Sequence, residues 1–202
     1  MKGIIVSGSA KTKRELVPSG TMVGRCYSMI HIGTVEWEYQ GEQKFSNKIR
    51  LTFELPNEVR DFGGEEKPMS IDKEYTLSLH EKSNLRKDLE SWRGVAFSPS
   101  DLKSFDVTDL LGVPAMLSIV HKTSKGGNEF AQIGSVSAMV KGMEIGEQFN
   151  ENFVFNYEEN FDEDWIASQP EWISEQIKGT EEYQNKQNQK QFADTPEEDR
   201  PF

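Results

Sequence analysis

Residues 44–55 read Lys-Phe-Ser-Asn-Lys-Ile-Arg-Leu-Thr-Phe-Glu-Leu, and this stretch decides the fold class. Apolar and polar residues alternate along it with a period of two, which is typical of a β-strand that buries one face. The apolar side carries Phe45, Ile49, Leu51, Phe53 and Leu55. The other side carries Lys44, Ser46, Lys48, Arg50, Thr52 and Glu54. The stretch therefore predicts a half-buried strand whose outer face is basic.

Four other segments have the composition or the alternation of strands and are bounded by turn residues. They are residues 21–32, 71–79, 114–122 and 129–137. Between them we expect loops at 33–41 and 56–68 and a glycine-containing hairpin loop at 123–128. The sequence thus predicts five strands.

The periodicity changes between the third and fourth of these strands. Leu85, Leu89 and Trp92 fall at i, i+4 and i+7, the spacing of one helix face. Ser83 is a suitable N-cap, and Gly94 is a typical stop signal. These residues predict a helix between the third and fourth strands.

Three strands, a helix and two strands are the order of the OB fold, a five-stranded Greek-key barrel that binds oligonucleotides or oligosaccharides. A second short helix is expected at 101–111. We therefore expect a mainly β protein, with an OB-like barrel for nucleic-acid binding over residues 1–145.

The net charge of the chain is concentrated after this region. Residues 1–145 hold 19 Lys or Arg and 19 Asp or Glu, whereas residues 146–202 hold 4 and 15, so the net charge of −11 belongs to the second part. An acidic mimic of nucleic acid would spread its acids over the folded body. A neutral body can still carry a basic face, because local patches decide phosphate binding.

Residues 146–202 are predicted to be an acidic, largely disordered extension. One short helix is expected near 170–178, with Trp172, Ile173 and Ile177 as its apolar residues. Residues 180–190 are almost free of apolar side chains and are predicted to be disordered. As a hypothesis, residues 180–202 fold back over the binding groove and compete with nucleic acid.

Composition argues against catalysis and against a cofactor. Cys26 is the only cysteine, so it predicts a small buried residue and no internal disulfide. His31, His80 and His121 are scattered and lack metal-ligand spacing. No phosphate-binding loop or nucleophile motif is present, and the acids at 162–164 lie in the extension, not among strand ends.

A membrane span needs about 20 consecutive apolar residues, and no segment approaches that length. The N-terminal apolar run is too short for a signal peptide. We therefore expect a soluble, cytoplasmic protein.

The final ten residues, 193–202, hold a cluster of carboxylates followed by proline and phenylalanine. An apolar anchor, a carboxylate and a proline-fixed backbone suit capture by a slot rimmed with Lys or Arg. The predicted partner-binding residues are Glu197, Glu198, Asp199, Pro201 and Phe202. The pattern resembles the acidic tip of bacterial single-stranded DNA-binding proteins, although Arg200 stands where that tip usually has an apolar residue. A solvated tail is the alternative.

Longer runs resemble a family of bacteriophage proteins encoded among replication and recombination genes. They are Leu16-Val-Pro-Ser-Gly-Thr with Gly24-Arg-Cys-Tyr and Ile32-Gly-Thr34, then the whole of Tyr75–Gly94, and later Pro170-Glu-Trp-Ile. Members of that family look like single-stranded DNA-binding proteins built on an OB barrel. The resemblance implies single-stranded DNA and replication or recombination proteins as partners in the infected host cell. It carries over no binding residues.

The binding residues are therefore predicted from chemistry. Proteins that hold single strands without sequence preference combine a cationic groove with aromatic rings on which bases stack. In OB barrels the usual surface spans the second and third strands and nearby loops. The residues predicted to bind DNA are Arg25, Tyr27, Trp37, Tyr39, Lys44, Lys48, Arg50, Arg86, Arg93, Lys122, Lys125 and Phe130.

Several of these residues also have a purely structural explanation. Trp37 and Tyr39 can cap the end of the barrel, and the neighbouring acids at 36 and 38 would repel phosphate. Lys48 and Arg50, which we expect in register with Arg25, can serve solubility and edge protection. The two helix arginines can pair with helix acids.

Two rival functions stay open. One is a recombination mediator or strand-annealing protein, and the other is a β-barrel adaptor with no role in nucleic-acid binding. A homodimer also stays open.

Overall fold

The computed structural model of the protein describes residues 15–194. The strands in this range are β1 (Gly20–Tyr39), β2 (Glu42–Asp61), β3 (Glu66–Thr76), β4 (Pro114–Thr123), β5 (Glu129–Ser137) and β6 (Phe153–Phe155). The α-helices are α1 (Asn84–Arg93), α2 (Glu163–Ser168), α3 (Glu171–Lys178) and α4 (Glu181–Asp194). Two short 3-10 helices, Asp101–Lys103 and Val107–Leu110, occupy the place of the second helix expected at 101–111.

The strands form one sheet in the order β3-β2-β1-β4-β5, in which neighbours are antiparallel, and β6 pairs with β1 in parallel. The expectation of a mainly β protein is therefore confirmed. The edge strands β3 and β5 are not joined by a ladder, so the sheet is open and a closed barrel is not confirmed.

β1 and β2 are each 20 residues long and form one extended hairpin. The prediction of a loop at 33–41 is wrong, because the strands continue to a two-residue turn at Gln40 and Gly41. Both turn residues have positive φ, 54° and 81°, as a type I′ turn requires. The loop expected at 56–68 is also wrong at both ends, since β2 passes through a bulge between Leu55 and Val59 and ends at Asp61, and β3 begins at Glu66.

The interior core lies between the inner faces of the sheet and helix α1. Phe53 is fully buried, and its ring centroid lies 5.3 Å from that of Trp92 on α1. The indole N–H of Trp92 donates to the carbonyl of Pro114 at 2.9 Å, so α1 is fixed to the start of β4. The predicted helix is confirmed, and it ends at Gly94 with φ 70°.

A second apolar core covers the outer side of β1. Its fully or largely buried members are Ile30, Ile32, Phe155, Tyr157, Ile166, Ile173 and Ile177. The hydroxyl of Tyr157 donates to the carbonyl of Ile32 at 2.7 Å and lies 2.9 Å from the hydroxyl of Thr180. The extension is therefore packed on the sheet over most of its described length.

Helix α3 lies where a helix was expected, but the prediction of disorder for 180–190 is wrong. Helix α4 begins at Glu181, and the carboxylate of Glu182 accepts hydrogen bonds from the backbone N–H and the hydroxyl of Thr34, both at 2.7 Å. Gly33 makes room for this contact: a Cβ there would lie 2.8 Å from a Glu182 oxygen. These partners are about 150 positions apart in sequence, which is why local composition did not reveal them.

Candidate nucleic-acid interface

The β1–β2 hairpin ends in a two-stranded arm, residues 34–47, whose base contacts the body and whose outer part, residues 36–45, is largely exposed. Directly opposed residues share one face of an antiparallel pair. Trp37 is opposite Lys44, and Tyr39 is opposite Glu42, whereas Glu36 is opposite Phe45. The arm therefore has two chemically different faces. We call them the aromatic face (Trp37, Tyr39, Glu42, Lys44, Ser46) and the acidic face (Glu36, Glu38, Gln43, Phe45).

The aromatic face presents two rings and a cation to solvent. Trp37 is 43% exposed and Tyr39 is 52% exposed, and their ring centroids are 6.1 Å apart. The Lys44 ammonium lies 5.3 Å from the Tyr39 ring centroid and 3.5 Å from the carboxylate of Glu42. The indole N–H of Trp37 donates to the hydroxyl of Ser46 at 2.8 Å, so the ring orientation is fixed although the ring is exposed.

Glu36 and Glu38, which we expected to repel phosphate beside Trp37 and Tyr39, lie on the opposite face of the arm. The amide of Gln43 donates to the carboxylate of Glu36 at 2.7 Å across the strands. Both glutamates alternate with Trp37 and therefore point away from its face. Phe45, predicted to be on the buried side of β2, is 66% exposed here, because the arm extends beyond the interior core.

Lys48 and Arg50 lie at the base of the arm on the same side of β2 as Lys44. The Lys48 ammonium is 2.7 Å from the carboxylate of Glu74, and Arg50 pairs with both Asp72 and Glu74 of β3. Their charges are thus compensated by acids on the neighbouring strand. The expected alignment with Arg25 is wrong: the position of the turn at Gln40 and Gly41 sets the register, so that Arg50 is opposite Ile30 and Arg25 is opposite Glu54.

Arg25 and Tyr27 lie nearer the start of β1, away from the arm. Arg25 is 4.0 Å from the carboxylate of Glu54, which is fully buried. Glu54 also accepts hydrogen bonds from the backbone of Phe149 at 3.1 Å and from the backbone and side chain of Asn150 at 2.8 Å. Tyr27 is half-buried, and burial raises the pKa of its hydroxyl. Both residues stay predictions as DNA contacts, in surroundings that also give them structural partners.

The two arginines of helix α1 are held by protein groups. Arg86 donates to the carboxylate of Glu90 at 3.0 Å and to the carbonyl of Leu79 at 3.2 Å. The Arg93 guanidinium lies over two rings, those of Phe97 and Phe105, at 4.6 and 4.8 Å from their centroids. Arg86 thus pairs with an acid of its own helix, as the structural explanation expects, and Arg93 also lies 3.4 Å from the carboxylate of Asp101.

A cleft of about 740 Å³ opens between the edge strands β3 and β5. Its lining includes Lys48, Lys73, His80, Lys82 and Phe130. A smaller pocket of about 320 Å³ near it is lined partly by Lys73, Lys87 and Lys122. Lys125 lies outside both linings, exposed in the β4–β5 hairpin turn. The structure thus brings Lys48 and Phe130 together, with Lys122 nearby.

Sequence reasoning missed several cations around this cleft: Lys73, Lys82 and Lys87, with His80 beside them. One signal was available, because Lys73 alternates in step with the buried Ile71 and Tyr75. A lysine on the buried side of a strand indicates that the strand lies at the edge of the sheet, where the side chain can reach solvent. Its ammonium lies 2.7 Å from the carboxylate of Asp88 on α1 and 3.2 Å from the carbonyl of Gly134 on β5.

Cys26 is fully buried, as expected from the sequence. Desolvation raises the pKa of its thiol to about 12, so the group is neutral near pH 7. Among residues 15–194 no three His, Cys, Asp or Glu side chains gather in a way that could hold a metal ion. Over the same range no helix combines the length and the apolarity needed to cross a membrane.

Known protein families and curated proteins were compared with the full chain. No family model and no curated protein matches it. The predicted partner-binding residues at 197–202 lie outside the described residues.

Proposed function

We propose that this protein binds single-stranded DNA without sequence preference, in the replication or recombination of phage DNA in the host cytoplasm. One observation carries the proposal: the arm exposes Trp37, Tyr39 and Lys44 together on one face, where Glu42 is the one acid, and turns Glu36 and Glu38 to the other face. Each base stacked on an aromatic side chain contributes about 1–3 kcal/mol, and every base has a face that can stack. Two rings and a nearby cation thus suit unpaired nucleotides of any sequence.

The topology supports an OB-like body as the scaffold for this site. β1 pairs with β2 along one part and with β4 along another, and α1 lies between β3 and β4 in sequence. Lys73 links β3 to β5 where the ladder is missing. In OB folds the β1–β2 and β4–β5 connections flank the ligand. Here these connections are the arm and the turn that carries Lys125.

The cleft extends the proposed site. Lys48 lines it and also follows Lys44 and Ser46 on one side of β2, so the arm and the cleft are continuous. No ion pair joins Lys82, Lys87 or Lys122 to a carboxylate within residues 15–190. These lysines are therefore available to phosphate, whereas Lys48 and Arg50 already have acidic partners.

The acidic Pro-Phe segment at 197–202 is proposed to recruit replication or recombination proteins. Helix α4 ends at Asp194, so eight residues lie between the helix and the end of the sequence given. Eight residues span at most about 29 Å. Residues 181–194 form a helix whose first turns pack on the body. The segment that we propose to compete with DNA is therefore 195–202 and no longer the whole of 180–202.

Binding of a labelled oligo-dT to the full-length protein, followed by fluorescence anisotropy, tests the proposal. With about three phosphate contacts, raising salt from about 50 to about 200 mM weakens binding about 20-fold, because bound counterions are released. The matching duplex, whose bases are not exposed, should bind more weakly at both salt concentrations. No binding of the single strand at low salt, or equal binding of the duplex, would contradict the proposal. Faster pairing of complementary strands would favour the annealing function instead.

A further inference from the structure

Trp172 on helix α3 is a large aromatic residue that remains 51% exposed although its helix is docked. Its neighbours Ile173 and Ile177 are buried in the second core and fix the helix against the sheet. The amide of Gln176 on the same helix donates to the carboxylate of Glu74 at 3.2 Å. Helix α3 is thus held in place while about half of Trp172 remains exposed.

One face of the Trp172 ring rests on Arg50. The guanidinium carbon lies 4.2 Å from the ring centroid, within the range of a cation–π contact. Arg50 is itself fixed by Asp72 and Glu74. The guanidinium lies over one ring face, and about half of the residue is still exposed.

The position of this ring relates it to the arm. Lys44, Ser46, Lys48 and Arg50 alternate along β2 without a bulge, so they share one side of the strand. Six residues of strand separate Lys44 from Arg50, a distance of about 20 Å. The aromatic face and Trp172 thus lie at the two ends of one row of polar side chains, in which Lys48 and Arg50 already have acidic partners, within the about 4–16 nucleotides that an OB fold engages.

We propose that Trp172 is a third base-stacking platform, so that a bound single strand runs from the aromatic face of the arm along Lys48 to helix α3. This inference rests on the proposed function. It makes the C-terminal extension part of the DNA-binding surface, whereas sequence reasoning treated Trp172 only as an apolar residue of a helix.

Tryptophan fluorescence in a Trp37→Phe variant tests the proposal. Of the three remaining tryptophans, Trp92 is buried and Trp165 stacks on Phe155 with ring centroids 4.6 Å apart, so Trp172 is the exposed reporter. Saturating oligo-dT is expected to quench this emission. Adding Trp172→Phe should abolish the quenching, because the reporter is then absent.

Affinity provides the second measurement, in the otherwise natural sequence. Trp172→Ala is expected to raise the Kd for oligo-dT about 5- to 20-fold, and Trp172→Phe less, because a ring remains. Gln176→Ala, which loses a docking hydrogen bond but no ring, should bind normally. If Trp172→Ala does not fold, the quenching and the phenylalanine variant decide.

The outcomes separate this proposal from the proposed function. Suppose that the natural protein binds oligo-dT, that the emission of Trp37→Phe does not change on binding, and that the Trp172 variants bind with natural affinity. Then the third platform is wrong and the arm site stands. Loss of affinity in Phe130→Ala together with normal Trp172 variants would direct the strand into the cleft instead. If the natural protein does not bind oligo-dT at all, the proposed function itself fails.

Discussion

The two halves of the β1–β2 hairpin obey the same alternation but meet different surroundings. In the body, Leu51 and Phe53 of β2 are buried in the interior core, while Ile30 and Ile32 of β1 are buried under the C-terminal extension. In the arm, residues 34–47, Val35 still packs on the second core, but the rings of Trp37, Tyr39 and Phe45 beyond it remain in solvent. One pair of strands is thus covered on both faces at one end and exposed on both faces at the other.

The difference shows where large apolar side chains stabilise the fold and where they are available for binding. A buried ring is accounted for by packing, since burying such a side chain contributes about 1.5–3 kcal/mol. The rings of the arm have no core to fill. Trp37, Tyr39 and Phe45 are therefore better explained by a ligand or partner than by stability.

The largest expected contrast is in stability. Phe53→Ala should lower the free energy of unfolding by about 3–5 kcal/mol, because it leaves a cavity beside Trp92. Phe45→Ala, the same change in the arm, should change it by less than about 0.5 kcal/mol. Urea denaturation measures both. Equal destabilisation would mean that the arm is packed against something, such as a second copy of the chain.

The junction between the two halves provides the next test. Gly33→Ala places a Cβ 2.8 Å from Glu182 at a residue with φ 100°, so a loss of about 3 kcal/mol is expected from clash and backbone strain. Gly41→Ala is the matched control, because Gly41 also has positive φ (81°) but no atom within 4 Å of the added Cβ. It should cost only about 1–2 kcal/mol. Similar losses for both variants in urea denaturation would argue against tight docking of α4 at Gly33.

The same junction should respond to pH. Burial alone would raise the pKa of Glu182, but the hydrogen bonds from Thr34 outweigh it and lower the pKa below the ordinary value of 4.5. A lowered pKa means that the carboxylate stabilises the fold above about pH 4.5 and that this contribution is lost as pH falls through the folded-state value. Glu182→Gln should cost about 1–2 kcal/mol at neutral pH and flatten this acid dependence.

Glu181→Gln is the control for that measurement. It removes the same charge one residue earlier, at a side chain that is exposed. The measurement is the free energy of unfolding of each variant and of the natural protein at several pH values between 3 and 7. An identical acid dependence in Glu182→Gln and the natural protein would exclude the Thr34 contact as its origin.

The smallest expected effect distinguishes cations of the arm from cations of the body. Lys44→Ala should reduce the slope of log Kd against log salt for oligo-dT by about 0.7, the value for one phosphate contact to a single strand. Arg86→Ala should leave the slope unchanged, because Arg86 is bound to Glu90 and Leu79. A larger change in slope for Arg86→Ala than for Lys44→Ala would indicate that DNA binds at α1 and not at the arm.

The parts of the fold that follow local rules could be predicted from the sequence. The alternation at 44–55 gave the central strand, and the spacing of Leu85, Leu89 and Trp92 with the following Gly94 gave helix α1. The arm was missed because Gly33 and Gly41 made the residues between them look like a loop. In the structure, Gly33 makes room for Glu182 and Gly41 forms the turn.

What depends on distant partners could not be predicted. Helix α4 has few apolar residues, and its start is fixed by Thr34 and Tyr157, which no local pattern connects to it. At the proposed site, residue type alone singled out Trp37 and Tyr39 within a predicted loop, and the alternation at 44–55 placed Lys44 on the outer side of β2. The acids on β3 that compensate Lys48 and Arg50 became apparent only when the register of β2 and β3 was known.

The central claim is that the aromatic face of the arm, and not the arm as a whole, binds unpaired bases. Comparing the affinities of Trp37→Ala and Phe45→Ala for oligo-dT at low salt tests it most directly, because both remove an exposed ring from the same hairpin. We expect the Kd to rise about 5- to 150-fold for Trp37→Ala, as the loss of about 1–3 kcal/mol of stacking requires. For Phe45→Ala we expect it to stay within about twofold. Equal losses, or a larger loss for Phe45→Ala, would contradict the claim.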